Sequence, residues 1–145
     1  MNNRCIFILI ALSVSFVSAA TKTEGIVVDE QNKLVWQDEP YTQTERDAYM
    51  YEMPKRRAGN FAYAKAYCEN LSLGGYKGWK LPSKEMLVKL YGGKKILKNI
   101  AESYYWSSTP VISKPTHVWS VDSTGGASHA HIRGFDYIRC VKEIK

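Results

Sequence analysis

The spacing of apolar and polar residues predicts a β-hairpin early in the chain, followed by a loop. Gly25–Val28 and Leu34–Trp36 are short apolar runs, and the polar residues between them have the composition of a turn. From residue 38 to residue 57 the sequence is polar and rich in tyrosine, with Pro40 and Pro54 as breakers of regular structure. We therefore expect this second segment to be an irregular loop.

Two later segments have the spacing of amphipathic helices. In Phe61–Leu71 the apolar residues recur at intervals of three and four, and Asn60 is a suitable N-cap. Ser83 can cap a second helix over Lys84–Tyr91. Residues 94–103 are expected to form a short third helix or a helical loop.

The last third of the chain alternates in the manner of β-strands. Val118–Val121, Ser128–Ile132 and Tyr137–Val141 are separated by residues that favour turns. We predict an antiparallel meander that ends on Cys140. A hairpin, then helices, then a meander indicates an α+β domain with two main helices packed on a mostly antiparallel sheet.

Residues 1–20 have the pattern of a Sec-type signal peptide. Arg4 provides the positive start, Cys5–Val17 is apolar, and Val17 and Ala19 suit the −3 and −1 positions of a cleavage site. A membrane anchor is the rival interpretation, but a spanning helix needs about 20 apolar residues. We predict a signal peptide at residues 1–20 and a mature domain at 21–145 with no membrane span. The protein would be exported, either to the periplasm or to the cell surface and extracellular space.

Removal of the signal peptide would leave two cysteines, Cys68 and Cys140. An even number of cysteines in an exported chain is typical of a disulfide, and Cys68 is expected on the buried side of its helix. A disulfide between Cys68 and Cys140 would close a loop of 72 residues, which would stabilise the fold by about 4 kcal/mol on the chain-entropy model. A metal-binding or catalytic role is the weaker alternative, because neither cysteine belongs to a CxxC or CxxH motif.

The formal net charge of +6 is unevenly distributed along the chain. Acidic residues outnumber basic ones by eight to three between Lys22 and Glu52, whereas basic residues outnumber acidic ones by sixteen to six between Met53 and Lys145. Such a division can mark a face for an anionic partner. Two ordinary solvated faces would produce the same counts.

Three histidines raise the question of a metal site. His129 and His131 lie on one side of the predicted strand, since alternate residues share a face, and His117 could join them. No Asp, Glu or Cys stands at ligand spacing beside them, so we assign no metal and no cofactor. A pH-sensitive surface patch is the better interpretation of these histidines.

Six short motifs follow one another in an order that resembles the Lcl C-terminal domain family. They are LVWQD (34–38), AYCENL (66–71), GWKLPS (78–83), YWSST (105–109), VWSVD (118–122) and IRCVK (138–142). The resemblance implies a variant of the C-type lectin fold, in which two helices lie beside a mostly antiparallel sheet and the two chain ends pair. Two of the motifs contain Cys68 and Cys140, which supports a disulfide between them.

The same motifs contain every tryptophan of the chain. Buried aromatic side chains supply most of the core volume of a small domain. We assign all four to the structural core and expect at least three to be buried there: Trp36, Trp79, Trp106 and Trp119.

The resemblance also implies a function in binding. The named member of the family is similar in using this domain to bind sulfated glycosaminoglycans, and clusters of lysine and arginine suit such polymers. The candidate polyanion-binding residues form two runs, Lys55, Arg56 and Arg57 in the first and Lys84, Lys89, Lys94, Lys95 and Lys98 in the second. The calcium motifs of sugar-binding lectins are absent from the sequence, and no nucleophile has a base beside it.

We therefore predict a non-catalytic binding or adhesion module of the bacterial envelope, with an anionic polysaccharide as the expected ligand. A periplasmic structural or accessory protein that binds an envelope protein is the alternative. Nucleic acid would meet the same positive charges, but an exported protein seldom encounters it, so we expect none as a partner.

Overall fold

The computed structural model describes residues 24–145, which form three helices and two β-sheets in an α+β arrangement. The predicted signal peptide, residues 1–20, lies outside the described residues. In chain order the elements are β1 (Ile26–Asp29), β2 (Leu34–Gln37), α1 (Gln43–Met50), β3 (Ala58–Gly59), α2 (Phe61–Glu69), α3 (Lys84–Gly92), β4 (Tyr104–Pro110), β5 (His117–Asp122), β6 (Ala127–His131), β7 (Asp136–Tyr137) and β8 (Val141–Glu143).

The smaller sheet joins the first described strands to the last one. Its order is β1-β2-β8, and both pairings are antiparallel. The predicted hairpin of β1 and β2 is confirmed, and its turn is held by Asn32, whose backbone N–H donates to the Asp29 carboxylate at 3.1 Å. Trp36 pairs with Val141, so residues more than a hundred positions apart lie side by side.

The larger sheet has the strand order β3-β7-β4-β5-β6. All its pairings are antiparallel except that of β4 with β7, which is parallel. The predicted hairpin of β5 and β6 is confirmed, but Tyr137–Val141 is not a single strand. Residues 138–140 cross between the two sheets, so β7 pairs in the larger sheet and β8 in the smaller one.

The loop expected between residues 38 and 57 is wrong in part, because α1 forms within it. The helix begins with a capping box in which Thr42 Oγ1 accepts the Glu45 N–H and the Glu45 carboxylate accepts the Thr42 N–H. Only Glu45 and Ala48 of this helix are buried, so the apolar periodicity that predicts a helix is missing.

The two other helices confirm the sequence prediction together with their caps. Asn60 Oδ1 accepts the Tyr63 N–H at the start of α2, and Ser83 Oγ accepts the Met86 N–H at the start of α3. The helical turn expected after α3 does not form, and residues 93–103 are irregular. Their backbone is held instead by Asp38, whose carboxylate accepts the N–H groups of residues 98 and 99 at 2.8 and 2.9 Å.

The core has two apolar clusters, because side chains alternate between the faces of each strand. Leu34, Trp36 and Tyr105 belong to the cluster that includes the buried side of α3. Val35 and Trp106 belong to the other cluster, which includes the buried side of α2. The domain is therefore built of sheets with a helix on each face.

The disulfide between Cys68 and Cys140 is confirmed and lies in the second cluster. It joins α2 to the crossing between β7 and β8. Trp36, Trp79 and Trp106 are at most 2% exposed and confirm three of the four core assignments. The assignment of Trp119 to the core is wrong, because its side chain is only partly buried and belongs to neither apolar cluster.

None of the helices among residues 24–145 combines the length and apolar character needed to cross a lipid bilayer.

Candidate binding surfaces

A cleft of about 890 Å³ lies between α3 and the smaller sheet. We call it the terminal cleft, since β8 forms one of its walls. Its floor is apolar and includes Leu34 and Trp36 from β2 and Met86 and Leu90 from α3. The indole Nε1–H of Trp36 is buried and has no hydrogen-bond acceptor within the described part of the chain.

The charges of the terminal cleft follow from the register of β2 with β8. Glu143 is opposite Leu34 and therefore shares the cleft side of the sheet, whereas Lys142 is opposite Val35 and faces the other way. The Lys142 ammonium accordingly lies beside Gly78. The strand wall carries the Glu143 carboxylate, whose Oε2 lies 3.1 Å from Lys80 Nζ, and Lys33 and Lys145 also line the cleft. The wall formed by α3 and the segment after it carries Glu85 together with Lys89 and Lys94, and we call it the cationic wall.

That cationic wall contains four of the predicted polyanion-binding residues. Lys89, Lys94, Lys95 and Lys98 are all exposed, and they run from the last turn of α3 into residues 93–103. We call these four residues the lysine ridge. Lys89 and Lys94 line the terminal cleft directly.

The lysine ridge is mostly free of internal partners. Lys89 Nζ donates to the side-chain oxygen of Asn32, which links α3 to the β1–β2 turn across one end of the cleft. Within residues 24–145, no carboxylate lies within 4.0 Å of the ammonium groups of Lys94, Lys95 or Lys98. These three charges are therefore available to an external anion.

Lys84 belongs to a different surface. It stands at the first position of α3, and its ammonium lies 4.0 Å from the centre of the Trp119 ring. A cation over an aromatic face is stabilised by the ring quadrupole. Lys84 therefore lies at the N-terminal end of α3, whereas the lysine ridge begins near the C-terminal end of the same helix.

The first basic run is divided between the surface and the interior. Lys55 and Arg56 are exposed, but Arg57 is fully buried, so its assignment to a polyanion surface is wrong. Its guanidinium binds the Glu45 carboxylate through Nε at 2.8 Å and Nη2 at 2.9 Å, and it also donates to two backbone carbonyls. Burial alone would raise the pKa of Glu45, but hydrogen bonds from Arg57 and Thr42 hold that pKa below its ordinary value.

The three histidines do lie together on the β5–β6 hairpin. The rings of His117 and His131 are 5.1 Å apart between centroids, and the ring of His129 is 4.4 Å from that of Trp119. Among residues 24–145, no three side chains of His, Cys, Asp or Glu converge in a geometry that could hold a metal ion.

A buried carboxylate lies on the opposite face of the same hairpin. Asp136 of β7 accepts a hydrogen bond from Ser120 Oγ at 2.7 Å and is 9% exposed. Burial raises its pKa to about 6, although the hydrogen bond from Ser120 acts in the other direction. Asp136 does not line the terminal cleft, and its bond to Ser120 joins β7 to β5 in the interior.

The sequence did not reveal the terminal cleft or the inward-facing arginines. The cleft depends on the pairing of β2 with β8, and no local pattern specifies such a pairing. Arg139 is buried like Arg57 and donates to the Tyr91 hydroxyl at 2.8 Å and to the backbone carbonyls of Gln37 and Asn99. The sequence signal for its burial was its position between Ile138 and Cys140 in the IRCVK motif.

No curated protein matches the chain. The family model described as the Lcl C-terminal domain matches residues 25–142, which is nearly the whole of the described chain. The protein therefore belongs to the Lcl C-terminal domain family.

Proposed function

We propose that this protein is an exported, non-catalytic binding module that holds an anionic polysaccharide along the lysine ridge and in the terminal cleft. The observation that carries the proposal is the ridge itself. It places four exposed lysines in ten residues, three of them without a carboxylate partner in the described structure, at the border of an apolar cleft.

The chemistry of this surface suits a polymer with regularly spaced acidic groups. Each lysine presents a flexible ammonium, so individual contacts are weak, but several contacts on one chain add up. The apolar floor can cover the uncharged faces of sugar rings while the ridge binds sulfate, phosphate or carboxylate groups. Membership of the Lcl C-terminal domain family supports the same proposal, and with it we propose that the α+β arrangement is a variant of the C-type lectin fold. Export is supported by the signal-peptide pattern of residues 1–20.

The lysine ridge stands on a fixed backbone, which favours a binding role over a mobile solvated segment. Asp38 holds the N–H groups of residues 98 and 99, and Asn99 Nδ2 donates to the Asp38 carbonyl at 2.7 Å. A preorganised segment loses less conformational entropy when a ligand binds.

Heparin affinity chromatography and calorimetry test the proposal. The triple variant Lys94→Glu/Lys95→Glu/Lys98→Glu should lose heparin binding at 0.15 M salt. The matched control Arg46→Glu/Lys65→Glu/Lys77→Glu makes the same change in net charge at exposed residues outside the cleft and should keep most of the affinity. Both variants should unfold like the wild type, since exposed substitutions change stability by about 0.5 kcal/mol or less. Equal losses in both variants would mean that only net charge matters and would refute a specific ridge.

The alternative is that the terminal cleft binds an envelope protein. The apolar floor and the carboxylate of Glu143 favour it, because a mixed rim around an apolar centre is typical of protein interfaces. It predicts no affinity for heparin and the co-purification of one defined partner from native cells. Substituting Met86→Glu in the cleft should then release that partner, while leaving the lysine ridge intact.

A further inference from the structure

The outer face of the β5–β6 hairpin concentrates positive and titratable groups away from the lysine ridge. We call it the histidine face and define it by His117, Trp119, His129 and His131. These residues share one side of the sheet by register, since His117 is opposite His131 and Trp119 is opposite His129. His129 and His131 are exposed, and His117 is partly exposed.

Cationic side chains border this face from each neighbouring element. Lys84 comes from the start of α3 and lies over Trp119, Lys114 precedes β5, and Arg133 follows β6. Within the described residues, no carboxylate lies within 4.0 Å of these three side chains or of the imidazoles.

The carboxylates of the adjoining elements bind other groups or lie elsewhere on the surface. Asp122, at the far end of β5, accepts hydrogen bonds from Thr124 and Gly126. Asp136 is bound to Ser120 on the opposite side of the sheet. Glu85 is exposed in the first turn of α3, where it complements the helix dipole.

Protonation of the histidines therefore adds charge to a cluster that has no counter-ion of its own. The desolvation of His117 and the positive charges of His131, Lys114 and His129 lower its pKa below the ordinary value of 6.5. His131 Nδ1 accepts the Arg133 N–H at 3.1 Å, and protonation at this nitrogen would break that hydrogen bond. Protonation of His117 is thus disfavoured in the free protein by the neighbouring positive charges, and a bound anion would offset that repulsion.

We propose that the histidine face is a second anion-binding site, which takes up protons as it binds a polymer of sulfate, phosphate or carboxylate groups and therefore binds best at acid pH. It goes beyond the lysine ridge, which contains no histidine. The two surfaces lie at opposite ends of α3, so either can be removed without the other. The three imidazoles and the flanking cations Lys84, Lys114 and Arg133 form the charged part of the site, and Trp119 supplies an apolar edge.

Isothermal titration calorimetry of the whole protein tests this site with two probes, a heparin-derived octasaccharide and sodium polyphosphate. Unperturbed imidazoles change from about one-tenth to about nine-tenths protonated between pH 7.5 and 5.5. Three added surface charge contacts correspond to roughly a tenfold gain in affinity. We expect that gain for at least one probe, with proton uptake at pH 6.5 seen as a dependence of the binding heat on the ionisation heat of the buffer.

Two variants assign the gain to its residues. His117→Gln/His129→Gln/His131→Gln should abolish the acid gain and the proton uptake but keep binding at pH 7.5. The lysine-ridge variant Lys94→Glu/Lys95→Glu/Lys98→Glu should weaken binding at pH 7.5 but keep the acid gain. Melting temperatures at both pH values check that each variant is folded. A gain that survives in the histidine variant, or no gain for either probe, would overturn the proposal, whatever the outcome at the ridge.

Discussion

Replacing the buried carboxylate of Asp136 should stabilise the protein at neutral pH. The group is 9% exposed, its hydrogen-bond donor is the neutral hydroxyl of Ser120, and its pKa is raised to about 6 by burial. No cationic side chain within the described residues forms an ion pair with it. The folded protein therefore carries a charge at neutral pH that burial disfavours.

The sign and size of the effect follow from this rise in pKa. The folded state binds the proton more tightly than the unfolded state, whose carboxyl titrates near 3.8. The contribution of Asp136 to the free energy of unfolding is therefore fully present below pH 3.8 and is lost as the pH rises through about 6. One pH unit corresponds to about 1.4 kcal/mol, so the decrease approaches about 3 kcal/mol. An amide at this position stays neutral and avoids it.

Urea denaturation at pH 4.0, 5.0, 6.0 and 7.5 provides the assay. Asp136→Asn should be more stable than the wild type at pH 7.5 by about 1 to 3 kcal/mol, the lower figure allowing for an amide N–H that finds no acceptor. The advantage should shrink steadily towards pH 4.0. Ser120→Ala should have the opposite effect at pH 7.5, because it removes the only hydrogen bond shown to the carboxylate.

Asp122→Asn, on β5 of the same sheet, is the matched control. Hydrogen bonds from Thr124 and, more weakly, from nearby backbone N–H groups lower the pKa of Asp122, although its slight burial opposes them. Its ionised form is favoured in the fold, so the amide should destabilise the protein above pH 4. An Asp136→Asn variant that loses stability at pH 7.5 and keeps the wild-type pH dependence would show that Asp136 is a stabilising charge, and the reasoning would fail.

Three further predictions concern the core and the ion pair. Replacing both Cys68 and Cys140 by Ala should lower the free energy of unfolding by about 4 kcal/mol, given the 72-residue separation, and mass spectrometry of unreduced peptides should show the linked pair in the wild type. Trp106→Ala should cost about 3 to 5 kcal/mol in urea denaturation, since its side chain is fully buried; a variant with an unchanged midpoint would contradict this. Arg57→Lys should cost several times more than Lys55→Ala, which should stay within about 0.5 kcal/mol, because lysine lacks the forked geometry that Glu45 and the two carbonyls require.

The elements that the sequence predicted correctly are those whose signals are local. The hairpin of β1 and β2, the caps Asn60 and Ser83, and the β5–β6 hairpin all depend on residues within a few positions of one another. The disulfide was also predictable, because removal of the predicted signal peptide would leave two cysteines to pair.

The helix α1 was missed because tertiary contacts and a cap stabilise it in place of an apolar stripe. Its capping box, Thr42 with Glu45, was visible in the sequence as a Thr-x-x-Glu motif. The same Glu45 binds the buried Arg57, so one residue both starts the helix and neutralises a buried charge. Arg57 lies three positions after Pro54 in a polar segment, and no local sequence pattern there predicts its burial.

Of the candidate surfaces, the lysine ridge depends on a local sequence pattern and the terminal cleft depends on a long-range strand pairing. Lysines close in sequence, such as Lys94, Lys95 and Lys98, do lie close in space, and the ridge was predictable. The cleft beside them needs the register of β2 with β8, and no single-segment pattern encodes a pairing across a hundred residues.

The position of β2 between β1 and β8 has a consequence for the order of events during synthesis. The Gln37 N–H donates to the Cys140 carbonyl, and the Gln37 carbonyl accepts from Arg139, so β2 can pair early with β1 but acquires these later partners only after about a hundred more residues have been made. A nascent chain that stops before residue 136 lacks β7, β8, the disulfide and the buried guanidinium of Arg139 together. Ribosome-bound intermediates should therefore remain protease-sensitive almost to the end of translation, and the export that we propose through a Sec-type channel requires such an unfolded polypeptide.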